Sequence, residues 1–283
     1  MKSFLFFFSL LISFLSSAQE NGIYENGVFN FEINKNQKIF TDDTRIRQNP
    51  NSSSPILDSL KSNSVIKILE KHQNITGLGE RFSHWYKIQY TKDGKASQGY
   101  IWGGNIAMKF ISKNGNDFLF GLLPSRKEFN SNEKIDQVKN VASVKVFENN
   151  IKIDEAIFES GIGESLSYAM FDTDSNQGLK NVDFILKAIV SGEACGVPSY
   201  EQQILFSNSK LFQLPTLINV GDADIFYHSE TLIYPSEEGG KPNSIYFMME
   251  EMEKDEKEQE KYKRNKEEYF WDGKNLSQMI YLK

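Results

Sequence analysis

With a single cysteine, Cys195, the chain cannot close an internal disulfide or assemble a paired-cysteine metal site. Histidine is nearly as scarce, and His72, His84 and His228 are the whole supply of imidazole bases. The 32 lysines and arginines do not outnumber the 38 aspartates and glutamates, and a formal net charge of −6 lacks the basic face that a nucleic-acid partner requires. No Gly-x-Ser-x-Gly elbow, phosphate-binding glycine loop or HExxH pair occurs in the 283 residues. The expectation is therefore a protein that is not an enzyme. Beyond residue 18 no apolar run is long enough to span a bilayer, which argues against an integral membrane segment in the mature chain.

What is present begins with an address. Lys2, the apolar run Phe4 to Leu15 and the small residues Ser16-Ser17-Ala18 form the three parts of a secretory signal peptide over residues 1–18. No cysteine follows the apolar run to take a lipid, so the mature chain is expected to be free and secreted or periplasmic. Its length suits two domains. Aromatics at 13% and many short β-branched runs point to an all-β fold.

After a lead-in at 19–40, residues 41–111 read as five short strands separated by turns: Arg45-Ile46-Arg47, Ile56 to Leu60, the alternating Ser64 to Leu69, Trp85 to Tyr90, and Gly99 to Trp102. A long polar loop is expected from Glu70 to Ser83. The sequence RIRQNPNSSSPILDSLKSNSVIKIL, then HWYKIQY, then QGYIWGGNIA resembles the bacterial SH3-like family in the order and spacing of four separated motifs. That resemblance implies a small barrel that binds cell-wall peptides or other envelope ligands and does no catalysis. The candidate contact face is Arg47, Trp85, Tyr100 and Trp102, whose rings would offer flat apolar surfaces with polar edges. The alternative is that Trp85 and Tyr100 complete the barrel core.

A polar turn near Ser112 to Asn116 marks the expected domain boundary, and residues 117–283 carry a succession of strand candidates that suit a larger antiparallel sandwich or a propeller-like array. In FDTDSNQGLKNVDFI, Asp172, Asp174, Asn176 and Asp183 alternate as calcium ligands do, and the segment also resembles the acidic hairpin loops of FG-GAP-type propeller repeats. An Asx-rich turn bonding its own backbone explains the same residues. Cys195 shares its domain with His228 and with Asp222, Asp224 and Glu230, the raw material for an envelope hydrolase or a metal site. A small buried thiol and a solvated sheet face are the plainer readings. The charged insertion at 250–268 is expected to be a partly helical or mobile tip between two strands.

The reading is a secreted or periplasmic, non-catalytic binding or scaffolding protein of the bacterial envelope, its partner a cell-wall peptide or envelope protein. No cofactor is expected unless calcium occupies the 172–183 loop. The competing readings are an envelope hydrolase with an SH3-like targeting module and a calcium-stabilised structural module.

Overall fold

A computed structural model describes residues 22–279 apart from 26–27, 80, 131–134, 162–167, 193, 223–224 and 256–258. The signal segment expected at 1–18 lies outside the described residues. Among those residues the one helical element is a 3-10 turn at Gly103–Asn105, and every strand pairing is antiparallel. The described residues open with β1 (Gly22–Glu25) and β2 (Val28–Asn30). It continues with β3 (Asn36–Lys38), β4 (Thr44–Arg47), β5 (Ile56–Leu60), β6 (Val65–Leu78), β7 (Arg81–Lys92) and β8 (Lys95–Trp102). Next come β9 (Lys109–Lys113), β10 (Asn116–Leu122), the hairpin β11 (Arg126–Asn130) and β12 (Ile135–Lys139), then β13 (Val141–Glu148) and β14 (Ile151–Glu159). The last eight are β15 (Tyr168–Asp174), β16 (Phe184–Ser191), β17 (Ser199–Ser207), β18 (Lys210–Asp222), β19 (Phe226–Ile233), β20 (Ser244–Lys254), β21 (Glu260–Trp271) and β22 (Leu276–Met279).

Strands β3 to β8 form one curled sheet in the order β3-β6-β7-β8-β4-β5. Alternation explains its sides: Ile66 and Ile68 point inward to meet Ile46, Tyr86, Ile88 and Ile101, while Val65 and Lys67 face solvent. The stretch 70–83, expected as a polar loop, is instead a hairpin extension in which β6 and β7 stay paired out to Leu78 and Arg81. Bulges between Ile68 and Glu70 and between Lys71 and Ile75 break the period-two pattern, which is why the polar alternation did not announce a strand.

Apart from β11 and β12, which pair only with each other, the remaining strands make two further layers. Strands β14-β13-β10-β9 form one sheet, and a ten-stranded sheet runs β2-β1-β15 and then straight through to β22. The layers meet on phenylalanines: Phe118 lies edge-on to Phe184 and Phe206, with centroids 5.5 and 5.0 Å apart, and Phe120 sits 5.7 Å from Phe171. Strands β16 and β17 are buried on both faces. Phe184, Leu186 and Phe206 face this core, whereas Ile185 and Leu205 face a second one with Leu217, Leu232, Phe247 and Trp271. The region is thus a layered sheet with one long meander, and the propeller alternative is not what the strand order describes.

Three boundary expectations change. The lead-in at 19–40 is not separate, because β1 pairs with β15 and carries β2 into the ten-stranded sheet, while β3 joins the barrel sheet. The polar turn expected as a domain boundary is the tight turn between β9 and β10, so the passage out of the barrel lies before Lys109. The charged run 250–268 is strand on both sides, with Glu250 opposite Arg264 and Glu251 opposite Lys263. Opposite charges facing across a hairpin stabilise the extended form as surely as helical spacing would stabilise a helix.

Barrel and layers form a continuous core, and two buried lysines seal the seam. Lys38 Nζ lies 2.6 Å from Asp117 Oδ2 and donates to Asn63 Oδ1 at 2.8 Å, while Asn63 Nδ2 donates to Asp117 Oδ2 and Asn150 Oδ1. Lys145 donates to the Phe40 carbonyl at 2.9 Å with its ammonium 4.3 Å from the Phe40 ring centroid, and burial pushes its pKa down.

Candidate ligand groove on the barrel

On the barrel surface a groove of about 280 Å³ collects Asp42, Asp43, Arg45, Arg47, Leu78, Trp85 and Trp102. Trp85 and Trp102 are cross-strand partners on β7 and β8, so the pleat puts both rings on one face. Arg47 on β4 is in register with Tyr100 on β8, two positions along from Trp102. Three of the four expected contact residues therefore come together, and Tyr100, half-buried on the same strand, does not line the groove.

The tryptophans are not the open platforms that the sequence suggested. Trp85 is 3% exposed and Trp102 2%, so only ring edges reach the groove. The hairpin extension covers them: Trp85 Nε1 donates to Thr76 Oγ1 at 3.1 Å and Trp102 Nε1 to the Thr76 carbonyl at 3.0 Å. Arg81 closes Trp102 from another side, its guanidinium carbon 5.0 Å from the ring, and donates to the carbonyls of Gly104 and Leu122 at 3.0 Å each. Burial pushes the Arg81 pKa down. Gly104 is obligatory here, since a Cβ would stand 2.1 Å from the Trp102 ring. What remains for a ligand is mostly polar: carboxylates of Asp42 and Asp43, guanidiniums of Arg45 and Arg47, and the Leu78 side chain. Arg47 already donates to the Ser54 carbonyl at 2.6 Å, which fixes its head within the first turn. Asp42 and Asp43 precede the first expected strand of the barrel and Leu78 falls in the stretch expected as a loop, so the sequence pattern singles none of them out as a contact.

The expected calcium ligands do not converge. Asp174 is ion-paired with Lys187 at 2.7 Å, which with its backbone bonds holds its carboxyl below the usual range. Asp172 accepts from the backbone N–H of Thr173, Asn176 accepts from that of Gly178, and Asp183 is exposed. This is the Asx-turn alternative. Among the described residues no group of three or more His, Cys, Asp or Glu is placed to hold a metal ion. Asp224 lies outside them. Cys195 is exposed, contrary to the buried thiol expected, and His228 offers it no free nitrogen, because Nδ1 and Nε2 each lie 2.9 Å from a carboxylate oxygen, of Glu251 and Glu230 respectively.

A curled antiparallel sheet with a polar groove between its first loop and its β7–β8 face defines an SH3-like binding module. Residues 42–107 match the family model described as the bacterial SH3 domain, which covers the groove from Asp42 to Asn105. Domains of this family suggest a module for binding components of the bacterial cell envelope. No curated protein and no solved structure matches the chain. Among the described residues no helix is long and apolar enough to cross a membrane.

Proposed function

We propose that the chain is an exported, non-catalytic binding protein of the bacterial envelope whose barrel groove holds a cell-wall peptide. The observation that carries this reading is the meeting of carboxylates and guanidiniums in one groove over a rigid indole floor. A short peptide bearing both amino and carboxylate groups matches that charge arrangement, and the buried tryptophans keep the floor from yielding when it binds. The long meander then serves as the body that presents the groove or meets a second envelope component. The non-catalytic part of the reading is supported by His228, whose two ring nitrogens are engaged by carboxylates and not by Cys195.

The test is retention of the mature chain on purified cell wall, comparing wild type with Arg45→Glu. Arg45 is exposed and lines the groove, so the variant changes its charge without touching the core. Loss of retention with an unchanged melting temperature supports the groove, and equal retention of the two proteins defeats it.

A further inference from the structure

At the far end of the ten-stranded sheet the apolar core gives way to charge. His228 on β19 stands directly opposite Glu251 on β20, and Glu230 lies two positions along the same face of β19. The imidazole is held from both sides, with Nδ1 2.9 Å from Glu251 Oε1 and Nε2 2.9 Å from Glu230 Oε1. A neutral imidazole carries one N–H and one lone pair, so it can donate to only one of these carboxylates and must turn its lone pair toward the other. The doubly protonated ring donates to both.

Neither carboxylate is loose. Glu230 Oε2 accepts from the Ile218 backbone N–H at 2.6 Å, and the Glu230 backbone N–H donates to Asn219 Oδ1 at 2.9 Å. Glu251 Oε2 lies 3.0 Å from Lys263 Nζ on β21. The other charged groups brought to this face by register are Asp222 on β18 and Glu253 on β20, both opposite Phe226, and Lys261 on β21, opposite Glu253. Four carboxylates and two lysines share this face, and of these Glu230 and Glu251 touch the ring. Burial disfavours its charge, but the bonds to Glu230 and Glu251 outweigh burial and raise its pKa above the ordinary histidine value.

We propose that His228 is a pH-operated latch: as imidazolium its Nδ1–H donates to Glu251 and pins β19 to β20, and as pH rises that Nδ1 proton passes to solvent while Nε2–H stays on Glu230 within β19, which releases the bond between the strands. The same strands wall a groove of about 600 Å³ lined by Tyr227, His228, Ser229, Glu250, Asn219 and Ser199, so the latch sets the shape of this second concavity. The sign follows from the raised pKa. The stabilisation is complete below the unfolded-state value of about 6.5 and is lost as pH rises through the folded-state value.

The experiment is a proton NMR titration of the three histidine rings together with backbone amide exchange. The expected result is a His228 midpoint above the ordinary value of about 6.5, with amide protection factors across 226–233 and 246–253, corrected for the intrinsic rise of exchange with pH, falling several-fold once that midpoint is passed. Glu251→Gln should lower the midpoint, and His228→Gln should abolish the pH dependence of the protection factors in these strands. A midpoint at or below the ordinary value overturns the latch, as do protection factors that stay constant across it. The wild-type titration and Glu251→Gln decide the matter even if His228→Gln does not fold.

Discussion

Replacing Asp117 by asparagine tests whether the seam between barrel and layers is held as described. Asp117 receives Lys38 at 2.6 Å, Ser112 at 2.5 Å and Asn63 at 2.9 Å, and Lys38 is only 7% exposed. The asparagine removes the countercharge and leaves a buried ammonium with neutral amide oxygens, the asparagine's own and that of Asn63, in place of a carboxylate. Breaking a buried pair from one side costs about 3–5 kcal/mol. The Asp117 side chain is 26% exposed, so water offsets part of that cost and about 2–3 kcal/mol is the better figure. In a chain of this length that lowers the melting temperature by roughly 5–10 °C. Lys38→Met combined with Asp117→Asn should recover much of the loss, because no buried charge is then left alone. Burial alone would raise the Asp117 pKa, yet its bonds to Lys38, Ser112 and Asn63 lower it. Its contribution is therefore present above the unfolded-state value of about 3.9 and disappears as pH falls through the folded-state value. The assay is thermal unfolding of the two variants and wild type from pH 3 to pH 7. A loss under about 1 kcal/mol in the single variant, or a double variant no more stable than the single, refutes the seam as a charge-locked junction.

Gly104→Ala should destabilise by about 1–3 kcal/mol through overpacking against Trp102, read as a lower denaturant midpoint with altered tryptophan emission. Trp102→Ala should cost about 3–5 kcal/mol and disturb the whole barrel, so circular dichroism rather than ligand retention will register it first. Calcium or chelator should leave the melting temperature unchanged, since Asp174 is taken by Lys187; a rise on adding calcium would show that the 172–183 loop assembles a site after all. Exchanging the charges of Glu250 and Arg264 together should preserve amide protection in the β20–β21 hairpin, whereas reversing Arg264 alone should weaken it.

The barrel was legible wherever one face of a strand is buried and the other wet. Ile66 and Ile68 alternate with Val65 and Lys67, and Trp85 and Trp102 announce a shared face once their strands are paired. The β6–β7 extension was not, because two bulges shift its register and a shifted register reads as irregular polarity. Strands β16 and β17 could be found but not placed, since residues buried on both faces give no inward side to reason from. The charged hairpin did carry a signal: Glu250, Glu251 and Glu253 run against Arg264, Lys263 and Lys261 in mirror order, a complementarity that only an antiparallel turn satisfies. Half of the groove was visible in Arg47 and the tryptophans. Asp42 and Asp43 stand just ahead of that motif but outside any strand, and Leu78 reaches the site from the hairpin extension, which no local pattern encodes. Oxygen spacing at Asp172, Asp174, Asn176 and Asp183 suggested a cation site, but spacing along a strand does not make side chains point to one centre, and Lys187 reached Asp174 first.

Strand β1 has a consequence for how the protein is made. Gly22 pairs with Ala169, 147 residues further along, so β1 has to wait for just over half the chain before its partner exists. Closing so long a loop adds entropy cost slowly with length, but it places this pairing among the last and slowest to form. Until it forms, β15 offers an open edge to any extended segment nearby. Synthesis of this chain therefore has a vulnerable interval, and its length is set by the spacing between β1 and β15.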